Sequence, residues 1–63
     1  MALIVRRIEK ETWRECVARY ATPYGLQDEA LAEFDTLILA MDEAEAAYYA
    51  LEEWDLLDFE DTP

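Results

Sequence analysis

The stretch Asp42-Glu43-Ala44-Glu45-Ala46-Ala47-Tyr48-Tyr49-Ala50-Leu51-Glu52-Glu53-Trp54-Asp55-Leu56-Leu57 decides the fold class. Asp42 is a helix-starting residue, and Glu45 falls three places later, in a first turn that favours acids. Behind that start, Ala44, Ala47, Tyr48, Leu51 and Trp54 recur at helical spacing and mark one apolar face. The small alanines would let such a helix approach a neighbour closely. The pattern predicts a helix over residues 43–57 that frays into an acidic tail, 58–63.

Upstream, a second helix is expected over residues 27–40. Asp28 and Glu29 occupy its first turn, where the helix dipole favours negative charge. Its core face reads Leu31, Phe34, Leu37, Ile38 and Met41, with Ala30 packed close. Only one or two residues would separate it from the third helix, which favours an antiparallel hairpin.

Further back, Thr12-Trp13-Arg14-Glu15 is a capping-box pattern with Thr12 as N-cap. Trp13, Cys16, Val17 and Tyr20 follow on one face, so a first helix is expected over residues 12–21. It should stop there because Pro23 disfavours helical geometry at Thr22. Gly25, the sole glycine, supplies a special backbone angle or an N-cap in the connection. Residues 1–11 read as an arm. Within it, Ala2-Leu3-Ile4-Val5-Arg6-Arg7-Ile8 is β-branched and short. It is either extended, needing a partner copy or another protein to satisfy its backbone, or an early start to the first helix; the extended arm is preferred. The expected fold is all-α: one small three-helix domain built on a helical hairpin, with a short extended amino-terminal arm.

The chain has 63 residues, 54% of them hydrophobic, which separates it from acidic disordered sequences. Sixteen acids oppose five bases, for a formal net charge of −11. The imbalance is segregated. Residues 1–24 hold all five bases (Arg6, Arg7, Lys10, Arg14 and Arg19) and three acids, whereas residues 25–63 hold thirteen acids and no base. The acidic part should repel nucleic acid and anionic membranes and attract a basic protein surface. A domain of about 60 residues is marginally stable on its own. One cysteine cannot form an intrachain disulfide, which leaves dimerisation or docking on a larger partner as the route to extra stability. That lone cysteine and the lack of a convincing signal peptide or apolar span lead to an expectation of a cytoplasmic, membrane-free protein.

Composition also narrows the chemistry. Without His there is no Ser-His-Asp or Cys-His pair and no His-bearing metal site. One Cys cannot build a four-cysteine zinc site, and one Gly cannot build a phosphate-binding loop. No catalytic residue, cofactor or metal is therefore expected. Cys16 reads as a small core hydrophobe, with an interchain or redox-active thiol as the other reading. Carboxylate pairs such as Glu29 with Glu33 read as a solvated helix face rather than an acid–base pair.

The surface offers one candidate interface. Tyr49 falls opposite Ala47 and Leu51, and Leu39 and Leu56 are also off their helices' apolar stripes. Tyr49 and Leu56, with Phe59 further on, stand among Glu45, Glu52, Glu53, Asp55, Asp58 and Glu60. Aromatic and apolar groups ringed by charge suit a partner-binding or self-association surface. Residues 42–61 carry nine carboxylates. On one continuous helix they would span about 30 Å, against roughly 18 phosphate charges on a duplex of that length. That density allows nucleic-acid mimicry, although a merely solubilising surface accounts for it equally well.

Thr12-Trp13-Arg14, Tyr24-Gly25-Leu26, Phe34-Asp35 and Glu53-Trp54-Asp55-Leu56-Leu57 together resemble elements of small acidic proteins encoded by bacteriophages. The likeness covers about residues 12–59 and transfers no active-site residue. It implies a context in which such proteins bind and disable a host protein, as anti-defence proteins and polymerase inhibitors do. The expectation is a non-enzymatic module in the cytoplasm of an infected bacterium. It would inhibit a host defence or nucleic-acid-processing protein with a basic surface, by stoichiometric binding. The alternative is a structural or assembly subunit of a virion or larger complex, or a homodimeric accessory protein, whose acidity only gives solubility.

Overall fold

The computed structural model describes residues 2–60, apart from the side chains of Ala2, Phe59 and Glu60. The elements run β1 (Ala2–Ile4), α1 (Trp13–Ala21), a one-turn 3₁₀ helix (Thr22–Tyr24), α2 (Gln27–Leu37), α3 (Glu43–Glu53) and β2 (Asp58–Glu60). The protein is a small all-α three-helix domain in which each helix packs against the other two.

Local signals set the helix starts. The Thr12 hydroxyl accepts from the Glu15 N–H at 3.0 Å, and the Glu15 carboxylate accepts from the Thr12 N–H at 2.9 Å, a complete capping box on α1. Asp42 accepts from the Glu45 N–H at 2.9 Å and caps α3. Two helical segments end alike. Gly25 takes φ +69°, its N–H donates to Thr22 O, and the Leu26 N–H reaches back to Ala21 O. Asp55 takes φ +58°, its N–H donates to Glu52 O, and the Leu56 N–H reaches back to Leu51 O at 2.9 Å. Each is a Schellman turn, with a left-handed residue closing two otherwise orphaned carbonyls.

The second turn corrects the sequence reading of the carboxyl-terminal segment. α3 stops at Glu53, not residue 57, because Asp55 leaves helical geometry. The reversal folds Leu56 back over Leu51, and both are buried. Residues 58–60 are then strand rather than acidic tail; the remainder, 61–63, lies outside the described residues. α2 ends at Leu37, so five residues, 38–42, rather than one or two, join it to α3.

The amino-terminal arm finds its strand partner within its own chain. β1 pairs antiparallel with β2, Ala2 opposite Glu60, Leu3 opposite Phe59 and Ile4 opposite Asp58. No second copy is needed to satisfy that pairing.

Among the described residues the core holds eleven buried apolar side chains, five of them alanine: Ala21, Ala30, Ala46, Ala47 and Ala50. Phe34, Leu51, Val17 and Cys16 are the largest fully buried side chains. The buried face of α3 is Ala46, Ala47, Ala50 and Leu51, rotated from the expected stripe. Ala44 is exposed, Tyr48 is half-buried and Trp54 is 38% exposed. The rotation puts alanines at the helix contacts, where short side chains permit close approach. On α2 only Ala30 and Phe34 are fully buried, while Ile38 is 38% exposed.

Candidate protein-binding face

The arm reaches α1 through a polar network. Arg19 Nε and Nη2 donate to the two Glu11 carboxylate oxygens at 2.9 and 3.2 Å. Arg19 Nη2 also donates to Arg6 O at 2.6 Å, and the Cys16 thiol donates to the same carbonyl at 3.6 Å. Arg7 donates to Glu11 O at 2.6 Å and lies over the Trp13 ring, 5.1 Å from its centre. Arg14 clasps Asp35 with two bonds of 3.0 Å and joins α1 to α2. Hydrogen bonding from Arg19 holds the Glu11 carboxyl below its ordinary value, and Arg14 does the same for Asp35.

This pairing occupies three of the five bases within the domain. Arg7, Arg14 and Arg19 each hold an acidic side chain or a carbonyl. The acids of α3 face outward without such counterparts on their own helix, which carries no base. Glu43 and Glu45 lie in its first turn, where the dipole favours them. Glu52 and Glu53 lie in its last turn, at the negative end of the helix dipole, where negative charge is disfavoured. All four are exposed.

The structure divides the residues expected to form the interface. Tyr49 is 46% exposed. Helical geometry sets Glu45 and Glu53 one turn to either side of it, with Glu52 beside them. The Tyr48 ring meets the Tyr49 ring edge-to-face, centroids 5.4 Å apart. Leu56 does not belong to this face: it is 8% exposed and part of the core. Asp55 is exposed in the Schellman turn. Asp58 is engaged inside the domain, accepting from the Tyr20 hydroxyl at 2.7 Å. Phe59 and Glu60 occupy β2 by their backbones, and their side chains lie outside the described residues.

The nine carboxylates of 42–61 do not share one rod. α3 covers eleven residues, or about 16 Å, and the chain reverses before Asp58. The continuous 30 Å ladder behind the comparison with duplex DNA is therefore broken into separate pieces.

Two exposed groups escaped the sequence reading of the interface. Leu39, noted only as off-stripe, is 86% exposed, and Tyr24 is also exposed. Ile38 was assigned to the core and lies partly outside it. The signal for Leu39 is its phase in the helix expected over residues 27–40, which sets it away from Phe34 and Ala30.

Cys16 is fully buried among Glu11, Arg19 and the Arg6 carbonyl. Burial, reinforced by the Glu11 charge, pushes its thiol up to about 11. Among the described residues there is no pocket and no group of three or more side chains able to hold a metal ion. No helix among them is long and apolar enough to cross a membrane.

Comparison with protein-family models, with curated proteins and with solved structures gives no match to this chain.

Proposed function

We propose that this protein is a non-enzymatic binding module that docks the outward face of α3 on a basic surface of another protein. The observation that carries this reading is the last turn of α3. Glu52 and Glu53 stand at the negative end of a helix dipole with no base in that turn, flanking the exposed Tyr49. Helix stability alone would favour Lys or Arg there. Residues that break a local stability rule cluster at functional surfaces. The carboxylates would steer the encounter, and Tyr49 would supply desolvated contact area.

The resemblance to small acidic phage proteins supplies the context for this reading: stoichiometric inhibition of a host defence or nucleic-acid-processing protein in the bacterial cytoplasm. Direct binding to nucleic acid is disfavoured by the charge.

The test is capture from bacterial lysate with the full chain, compared with a variant carrying Tyr49→Ala, Glu52→Gln and Glu53→Gln. Specific partners should be lost with the variant, and affinity should fall steeply from about 50 mM to about 500 mM salt. An identical set of partners, or affinity insensitive to salt, would overturn the α3 face. Turnover of a substrate by sub-stoichiometric protein would overturn the non-enzymatic reading.

A further inference from the structure

The connection between α2 and α3 reads Ile38-Leu39-Ala40-Met41 and carries the most exposed large apolar side chain among the described residues. Leu39 stands 86% open, and Ile38 and Ala40 are exposed beside it, while Met41 packs back on the core. The tip is held by its own backbone. The Ile38 N–H donates to Phe34 O at 3.0 Å, Leu39 to Thr36 O at 3.3 Å, and Ala40 and Met41 to Leu37 O at 3.0 and 3.1 Å. Asp42 then caps α3. A fixed turn thus presents Leu39 to solvent at little further conformational cost on binding.

Charge narrows the occupant. Asp42 and Glu43 follow the tip directly, both exposed, and no base follows Arg19 anywhere in the chain. Asp35, before the tip, is already held by Arg14. A second copy related by a two-fold axis through the tip would bring the same carboxylates together across the contact. A surface combining an apolar hollow with cationic edges is complementary to both features.

We propose that residues 38–41 are an apolar anchor that seats Leu39 in a hydrophobic hollow of a partner protein rimmed by Lys or Arg. This deepens the binding-module reading and rests on it, adding a contact distinct from the α3 face.

A synthetic amphipathic helical peptide of Leu and Lys reproduces that chemistry and serves as the probe. Titrated into the ¹⁵N-labelled full chain, it should shift the amides of residues 38–43 and saturate. A Lys and Ser peptide of equal charge should bind at least about tenfold more weakly, because charge alone is not the anchor. Leu39→Ser should weaken the Leu and Lys peptide by a similar factor with an unchanged melting temperature, since the side chain supports no core.

Shifts centred away from residues 38–43, or Leu39→Ser binding within about twofold of the parent, would overturn the anchor. So would sedimentation as a dimer that Leu39→Ser abolishes, or uptake by zwitterionic vesicles that depends on Leu39; these would assign the tip to a second copy or to lipid. If Leu39→Ser is silent while the Tyr49, Glu52 and Glu53 variant abolishes peptide binding, the anchor fails and the α3 face stands. The reverse result keeps the anchor and removes the α3 face.

Discussion

The Tyr20 hydroxyl donates to an Asp58 carboxylate oxygen at 2.7 Å and accepts from the Arg6 N–H at 2.6 Å. One phenol on α1 thereby ties both the amino-terminal arm and the first residue of β2 to the helical domain. Asp58 follows Tyr20 by 38 positions, and Arg6 precedes it by 14. Burial is the leading reason the phenol's pKa is raised, and the Asp58 hydrogen bond works in the same direction, so it remains a donor at neutral pH.

Tyr20→Phe keeps the ring and removes both bonds, leaving the Arg6 N–H without its acceptor. The expected loss is about 1–3 kcal/mol, several degrees in melting temperature for a domain this size. Amide exchange in β1 and β2 should accelerate more than exchange in the helices. Equal acceleration everywhere would show that the strand pair and the helices open together.

The two Schellman turns make opposite predictions. Gly25→Ala should cost about 1–2 kcal/mol from backbone geometry alone, because an added Cβ meets nothing within 4 Å. Asp55→Gly should gain about 0.5–1 kcal/mol, since glycine occupies the left-handed region without the Cβ penalty. Urea unfolding reads both; a destabilised Asp55→Gly would mean that the aspartate side chain supports the turn.

Leu56→Ala should behave as a core truncation and cost about 2–5 kcal/mol, enough to unfold much of a population this marginal. Tyr49→Ala should stay within about 0.5 kcal/mol of the parent. Circular-dichroism melts separate the two, and the contrast removes Leu56 from any contact role even if its loss weakens binding.

Capping at Thr12 and Asp42 could be read from four-residue patterns because its geometry is local. The left-handed turn at Asp55 could not, since aspartate announces it far less clearly than glycine, and the helix was read four residues too long. That error carried Leu56 to the surface. The face of α3 was misread because hydrophobic weighting ranks Tyr48 and Trp54 above Ala46 and Ala50. Close helix packing reverses that order. Tyr49 was visible as an outward residue from spacing alone. The roles of Asp58 and the β1–β2 pairing depend on contacts between residues far apart in sequence, which no local pattern encodes.

The ion pairs predict a pH dependence of definite sign. Hydrogen bonding from Arg19 and Arg14 lowers Glu11 and Asp35 relative to their ordinary values of 4.5 and 3.8. A lowered folded-state value contributes stability that is fully present above the ordinary value and lost as pH falls through the folded one. Glu11→Gln and Asp35→Asn should therefore be less stable than the parent at pH 7. The gap should close on acidification below about pH 4. A gap that persists at about pH 2 would mean that packing, not charge, supports those sites.

Native protein at about pH 8 should resist thiol reagents at Cys16, and urea-unfolded protein should react fully. Burial and the raised thiol both act against the reactive thiolate. Prompt labelling of the native state would revive the redox-active reading.

The pairing of Ala2 with Glu60 gives the chain the geometry of a closed loop. A short linker joining the paired ends should permit circular permutation, with new termini cut at an exposed turn such as the one around Lys10. The domain is also suited to grafting into a surface loop of a carrier protein, because both junctions would leave from one spot.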